Sequence, residues 1–368
     1  MANDNKRSAF NATRLTSSTF LIKEFDDIYS EHPYVYAIII PAKSKSVLSS
    51  RHGTIILIDT GCGGASNDPN ARISSLREFI ETVEVTDNDN KPLNGDDDRQ
   101  GRMGYIVVLT HCHYDHILGV EHFSDSPILA SSHYPEFFHD IPEHSLCNFL
   151  DIHTPKYKPT LVPHGHTISN RITILHTPGH TPDSLTVYDP TSELPMLYVG
   201  DSLYEYEPII FPNEGSIVDW FRSMEALIEF VRNQESLLGI GSEDKEDSDI
   251  PRLGAEAVTH RVYNKRGAPR QQGRILLNAG HVTCLEPALT VLQAAKVFIE
   301  DVVGGREPVR RRWVKRGEQT VEYRQSRQDR DTGIRNTTGE TNSRFSLICP
   351  ERLLLDSRRT LATSAFMH

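Results

Sequence analysis

No apolar run in this chain approaches the ~20 residues that a membrane-spanning helix needs, so no membrane partner is expected. The opening residues Met1–Ser8 are followed by no hydrophobic stretch, and a secretory leader is not expected either. Cysteine is sparse: Cys62, Cys112, Cys147, Cys284 and Cys349 are scattered, odd in number and without CxxC spacing. Such a set argues against a disulfide framework and for a reducing, cytoplasmic compartment. Positive charge is short as well, with 39 Lys and Arg against 50 Asp and Glu, a net of −11. That balance argues against nucleic acid as a partner, because phosphate contacts need a basic footprint. One stretch reverses the sign: Arg306–Arg330 holds nine Lys/Arg against four Asp/Glu. It reads as a solvated or partly disordered surface segment. No internal repeat is visible. What remains is ordinary for a globular protein, with 24% charged residues, 8% aromatics and a mean hydropathy of −0.42. At 368 residues the chain can bury a large core in one or two domains.

Against this background the hexapeptide His111-Cys112-His113-Tyr114-Asp115-His116 stands out, with three imidazoles and a carboxylate directly after the apolar run Tyr105–Leu109. Neutral imidazole and carboxylate are donors that zinc accepts well. Three later segments repeat the pattern of a strand-like run breaking into a turn. Arg171–Leu175 leads to Gly179-His180, Met196–Val199 to Gly200-Asp201, and Arg274–Leu277 to Gly280-His281. A glycine before each His or Asp lets the backbone bend sharply and turn the ligand inward.

The ordered set His111-x-His113-x-Asp115-His116, His180, Asp201 and His281, preceded by the strand Thr54–Asp59 and Thr60-Gly61, resembles the metallo-β-lactamase superfamily. The likeness is to its glyoxalase II and lactonase-like branch, and it covers roughly residues 15–300. The resemblance implies an α/β fold, a four-layer αββα sandwich. It implies that His111, His113 and His180 hold one metal, that Asp115, His116 and His281 hold a second, and that Asp201 bridges them. Asp59 would steady the metal loops without binding metal. Leu118 departs from the pattern, standing where relatives often have the first glycine of a pair, although Gly119 is kept. Cys112 reads as a buried thiol, Tyr114 as a spacer, and His122, His133, His176 and their neighbours as surface or hydrogen-bonding groups.

Along the chain, strands are expected at Phe20–Phe25, Tyr34–Ile40 and Pro127–Ala130, with a hairpin turn at Val47–Gly53. Helices are expected over Asn70–Val85, from Ile117, at Tyr134–His139, over Trp220–Gln234 and over Glu286–Val303, the last with Val297 among its inward residues. Thr86–Gln100 reads as an exposed loop, Asp140–Pro163 as irregular and Gly241–Asp249 as a linker. The expected organisation is a metallo-β-lactamase-like domain over 15–304 and a C-terminal extension over 305–368, loose at 328–343. The extension would carry a strand at Arg344–Cys349 and a helix from Pro350.

A metal lowers the pKa of bound water from ~15.7 to ~7, which supplies hydroxide at neutral pH. The expected function is therefore a dinuclear zinc hydrolase, with iron or manganese as other metals, cleaving an ester or amide bond of a small molecule. The layout resembles lactamase-like hydrolases of fungi, which points to a lactam or lactone in xenobiotic or secondary metabolism. Asp115 would also orient the nucleophile. Tyr204 stands three residues after Asp201, the offset at which the family's lactonases carry a tyrosine that reaches the substrate carbonyl; a packed tyrosine is the other reading. An acyl-thioesterase on CoA or acyl-carrier substrates is an alternative, with the basic stretch receiving phosphates. A mononuclear iron sulfur dioxygenase is an alternative of another class.

Overall fold

The computed structural model describes residues 7–42, 53–96, 101–190, 194–239, 274–326 and 343–365. The hairpin expected before Gly53, the Gly241–Asp249 linker and all but Ser343 of 328–343 lie outside them. Two compact units divide the chain. The first runs to Arg171; the second takes Ile172–Asp189 and the described residues from Pro195 on. Among the described residues no helix is long and apolar enough to cross a membrane.

In the first unit, seven strands neighbour one another in the order Phe10–Arg14, Thr19–Glu24, Tyr34–Ile40, Thr54–Ile58, Gly104–Val108, Ile128–Ser131 and Thr160–Val162. The first three junctions are antiparallel and the last three parallel. Ile55, Ile56, Leu57 and Ile58 are all buried, the continuous apolar run of a strand covered on both faces. Because Thr54–Ile58 and Gly104–Val108 run parallel, Asp59 and the residues after Val108 emerge at the same edge of the sheet. Phe20, Ile22, Val35, Leu57 and Val107 share a core with Leu76, Phe79 and Ile80 of the helix Leu76–Thr82.

That helix is shorter than the expected Asn70–Val85. The Ser75 side chain accepts from the Glu78 amide and caps it, which fixes the start, while Ile73 belongs to the strand Ala71–Ile73 paired with Arg7–Ser8. The loop expected after it is not exposed throughout, since Leu93 and Asn94 are buried. The Asn94 amide donates to the Met103 carbonyl at 3.0 Å and to the Tyr105 hydroxyl at 2.8 Å. Asp140–Pro163 is more ordered than expected, with helical turns Ile141–His144 and Cys147–Leu150 and the strand Thr160–Val162.

The second unit's main sheet includes, as successive neighbours, Ile172–His176, Leu185–Asp189, Met196–Tyr198, Leu276–Asn278 and Glu286–Pro287. Met196–Tyr198 and Leu276–Asn278 are parallel, so the residues following both emerge at one edge, as in the first unit. The helices Ile217–Leu237 and Ala288–Val303 pack Trp220, Met224, Leu227, Val291, Leu292 and Phe298 into its core. Glu286–Pro287 pairs with Leu276–Leu277, which delays the second helix to Ala288, and Val297 points outward, 54% exposed.

A second sheet of this unit runs Pro208–Ile210, Ser346–Pro350, Glu318–Arg324, Val309–Lys315, followed by the helix Glu351–Ala365. Val321, Tyr323, Leu347, Cys349 and Leu353 enter the unit's core. Within the described part of the basic stretch, Val309–Lys315 and Glu318–Arg324 thus pair as a hairpin rather than forming a loose segment. Its outer strand exposes Arg310, Arg311 and Lys315, and cationic residues on an open edge oppose pairing with another chain. Arg312 instead reaches Glu351 at 3.3 Å.

Candidate metal centre

Each unit places its own donors at a sheet edge. In the first, Asp59 follows the strand Thr54–Ile58 with φ +62 and is 1% exposed. Its Oδ1 accepts from the Thr110 amide at 2.7 Å, and its Oδ2 accepts from the Thr110 hydroxyl at 2.7 Å and from His116 Nδ1 at 2.9 Å. Since the Thr110 hydroxyl spends its proton on Asp59, its oxygen accepts from His111 Nδ1 at 3.1 Å. One buried carboxylate therefore sets the tautomer of two histidines, leaving the Nε2 lone pairs of His111 and His116 for a metal. This is the steadying role the resemblance gave Asp59. Thr110, the relay, carried no signal in the sequence beyond standing before His111.

His111 Nε2 lies 3.0 Å from His113 Nδ1, with the two rings edge-on. Two ligands of a tetrahedral ion with bonds of 2.0–2.1 Å stand about 3.3 Å apart, so the pair fits neighbouring corners. His116 Nε2 and Asp115 Oδ2 are 3.4 Å apart. All four residues are buried, as is Cys112, which was expected to be a buried thiol. Leu118, the departure from the family pattern, is accommodated by Gly63. A Cβ built on Gly63 would meet the Leu118 carbonyl oxygen at 3.2 Å and its Cβ at 3.3 Å.

Tyr114 is more than a spacer. Its amide donates to the Ser145 carbonyl at 2.9 Å, its hydroxyl donates to Glu31, and its ring meets Tyr29 edge-on at 5.4 Å. Burial, with the charges of Asp115 and Glu31 adding, pushes its pKa well up, so the hydroxyl stays a donor.

In the second unit His180 is 3% exposed. Its Nδ1 donates to the Ile210 carbonyl at 2.7 Å, which puts the proton on Nδ1 and the lone pair on Nε2. Gly179 makes this turn possible: at φ +153, a Cβ there would lie 2.6 Å from the Trp220 Cα. Asp201 sits in the turn Gly200–Ser202, with Gly200 at φ +51. The Gly280 amide donates to the Gly200 carbonyl at 2.8 Å and ties the Asp201 and His281 turns together. Gly280 itself adopts no positive φ, so the third expected glycine bend is not used. His281 Nε2 stands 3.6 Å from Asp201 Oδ2. Tyr204 is 5% exposed, with its ring edge-on to His281 at 5.6 Å. Glu205 is occupied by Arg344 at 2.6 Å. His122 has the structural role expected, its Nδ1 accepting from the Leu76 amide at 3.3 Å.

Residues 44–241 match the family described as the metallo-beta-lactamase superfamily. The chain belongs to that superfamily. The match spans more than half of the chain, and it fixes the class as the α/β metallo-β-lactamase fold, whose members are generally hydrolytic enzymes that bind divalent metals. The chain is also 28% identical over 365 residues to a putative transcription factor of Aspergillus versicolor, covering 95% of this chain and 89% of that one. It is 25% identical over 152 residues to an acyl-coenzyme A thioesterase of Gallus gallus, covering 36% of this chain and 54% of the other. Among solved structures it resembles a metallo-beta-lactamase family protein of Thermus thermophilus. That likeness has 15% identity and a TM-score of 0.47, covering 79% of this chain and 82% of the other. Buried neutral imidazoles and carboxylates, with tautomers set by the partners above, suit a divalent ion.

Proposed function

We propose that this chain is a dinuclear metal hydrolase that cleaves an ester or amide bond of a small molecule, a lactone or lactam above all. One ion would be held by His111, His113 and His180. The second would be held by Asp115, His116 and His281, with Asp201 shared between them, as the family resemblance implies. The observation that supports this best is the repetition of one device. In each unit a pair of parallel strands leads into buried His or Asp donors, and in each unit a carboxylate or carbonyl stands behind an imidazole, Asp59 behind His116 and the Ile210 carbonyl behind His180. Zinc suits this mixture of imidazole and carboxylate, and iron or manganese could replace it.

The ions supply a water of lowered pKa and polarise the substrate carbonyl. The chain's own groups do the rest. The Asp115 carboxylate accepts a hydrogen bond from the attacking water, takes its proton and passes it to the leaving oxygen or nitrogen. The Tyr204 hydroxyl donates to the oxygen on which negative charge develops. Asp59 and Thr110 hold the imidazoles still throughout.

Metal analysis beside a panel of lactones, lactams and thioesters tests the reading. Two zinc ions per chain and turnover lost in His113→Ala and Asp201→Ala are expected; full turnover by metal-loaded Asp201→Ala would remove the shared-ligand role. Tyr204→Phe should lower kcat about 10–100-fold. A single iron per chain with oxygen uptake would overturn hydrolysis in favour of a sulfur dioxygenase, a reading that gives Asp115, His116 and His281 no task.

The Gallus gallus relative's name favours a second reading, an acyl-thioesterase. The exposed Arg310 and Arg311 could then meet phosphates, and neutralising both should raise KM for CoA esters; an unchanged KM would sink it. The name of the Aspergillus relative gains no support from a net charge of −11, which opposes binding to nucleic acid.

A further inference from the structure

The segment after Asp201 is fastened to the C-terminal extension, which lies past the residues 44–241 that match the family. One peptide group shows how closely. The Phe211 amide donates to the Ile348 carbonyl at 2.9 Å, and the carbonyl of that same peptide, Ile210, accepts from His180 Nδ1 at 2.7 Å. In a trans peptide the N–H and the C=O point to opposite sides of one plane. A single rigid group therefore carries the hold of the strand Ser346–Pro350 to an imidazole of the proposed metal centre.

A second hold reaches His281. The loop that follows it is strained, with Val282 at φ +31° and Leu285 at φ +58°, and a positive φ in a β-branched residue is a true outlier. The Thr283 amide turns back across Val282 to the His281 carbonyl. Strain of this kind persists only where surrounding contacts fix it. One such contact is the Thr283 hydroxyl, which accepts from the Glu205 amide at 2.7 Å. Glu205 is 4% exposed, and its Oε1 accepts from Arg344 Nε at 2.6 Å. The Arg344 carbonyl accepts from the Tyr206 amide at 2.8 Å, and Tyr206 itself adopts φ +68°. Arg344 thus holds two consecutive residues, one through its guanidinium and one through its backbone. The guanidinium lies 5.1 Å from the ring centre of the fully buried Phe345. A buried ion pair adds little net stability over apolar residues of the same size, so a pair placed here calls for a task other than stability.

We propose that Arg344, acting through Glu205, is a positioning residue for His281: it fixes the Glu205 amide that holds the strained Thr283 turn. The C-terminal extension is then a working part of the metal centre. This rests on the metal-centre reading above and goes beyond it by giving a task to residues past the family match.

Competition between the full chain and a chromophoric chelator for zinc tests it, read as two separate affinities at a temperature where every variant is folded. Arg344→Met leaves the Glu205 carboxylate buried without its cation, so it should lower both the melting temperature and the affinity of the site with His281. Arg344→Met with Glu205→Met removes both charges. Its melting temperature should recover, while that affinity stays about tenfold down. The site with His180, whose hold runs through Ile348 and Phe211, should keep its affinity in both variants. Arg344→Lys, which keeps a cation opposite Glu205, should restore most of the loss at the His281 site. An affinity that recovers along with the melting temperature, or an equal fall at both sites, overturns the proposal. If the original chain takes up no zinc, the metal-centre reading falls by itself, and hydrogen exchange then decides. Faster exchange over residues 278–285 in the double variant, with the strand Ser346–Pro350 unchanged, supports the Arg344 hold; unchanged exchange over 278–285 overturns it.

Discussion

Replacing Asp59 by Asn separates the work of its charge from the work of its shape. Asn tolerates the φ of +62° found here, and its Oδ1 can still accept from the Thr110 amide at 2.7 Å. The other side-chain atom becomes an NH2 facing two donors, the Thr110 hydroxyl and His116 Nδ1. His116 escapes the clash by moving its proton to Nε2, which removes the lone pair from the metal side. Losing such a supporting partner typically costs 10–100-fold in metal affinity, about 1.4–2.7 kcal/mol. A hydrogen bond to the charged group is lost as well, about 1.5–3 kcal/mol of metal-free stability. Competition with a chromophoric chelator, titrated to two equivalents of zinc, reads the two sites separately. The site with His116 should weaken by the full factor, and the site with His111 less, because it feels Asp59 only through Thr110. Thr110→Val cuts that relay at 3.1 Å while sparing His116, so it should weaken the His111 site alone. Asp59→Asn with both affinities within threefold of the original would refute the tautomer argument, provided its melting shows a folded protein.

What was legible in the sequence was local. His111, His113, Asp115 and His116 lie within six residues, and each remaining donor follows a strand-like run, so one turn of chain defines each feature. The apolar Ile55–Ile58 run marked a strand, while the covering of both its faces is read from the structure. What the sequence hid depends on partners far along the chain. Ile73 fits a helical face with Leu76 and Ile80, but it pairs with a strand near the amino terminus. Leu93 and Asn94 lie in a polar stretch, yet they are buried because Asn94 satisfies Met103 and Tyr105. Tyr114 looked like filler between ligands because its partners, Glu31 and Ser145, stand 83 and 31 positions away in sequence. The basic run at Arg306–Arg330 read as a solvated segment because edge strands with arginines match the composition of loose surface; only pairing with Glu318–Arg324 tells them apart.

Gly179→Ala should destabilise the metal-free protein by about 2–4 kcal/mol, since its Cβ would meet the Trp220 backbone at 2.6 Å; unchanged urea unfolding would contradict the close approach. A second prediction concerns pH. Glu24 is buried, and burial, with Asp27 adding and the Gly64 amide opposing, raises its pKa from 4.5 to about 8. Between those values the folded chain keeps a proton that the unfolded chain releases. The stability this group contributes is therefore complete below pH ~4.5, declines as pH rises, and is gone above pH ~8, a change on the order of 5 kcal/mol. Glu24→Gln keeps an amide oxygen for the Gly64 amide, now 3.2 Å from Oε2, and cannot ionise. Its unfolding free energy should exceed that of the original at pH 8 relative to pH 5, measured in the same denaturant. Parallel pH dependence in the two proteins would mean that Glu24 is ionised in the folded state, with the Gly61–Gly64 turn compensating a buried charge that the present packing leaves only partly met.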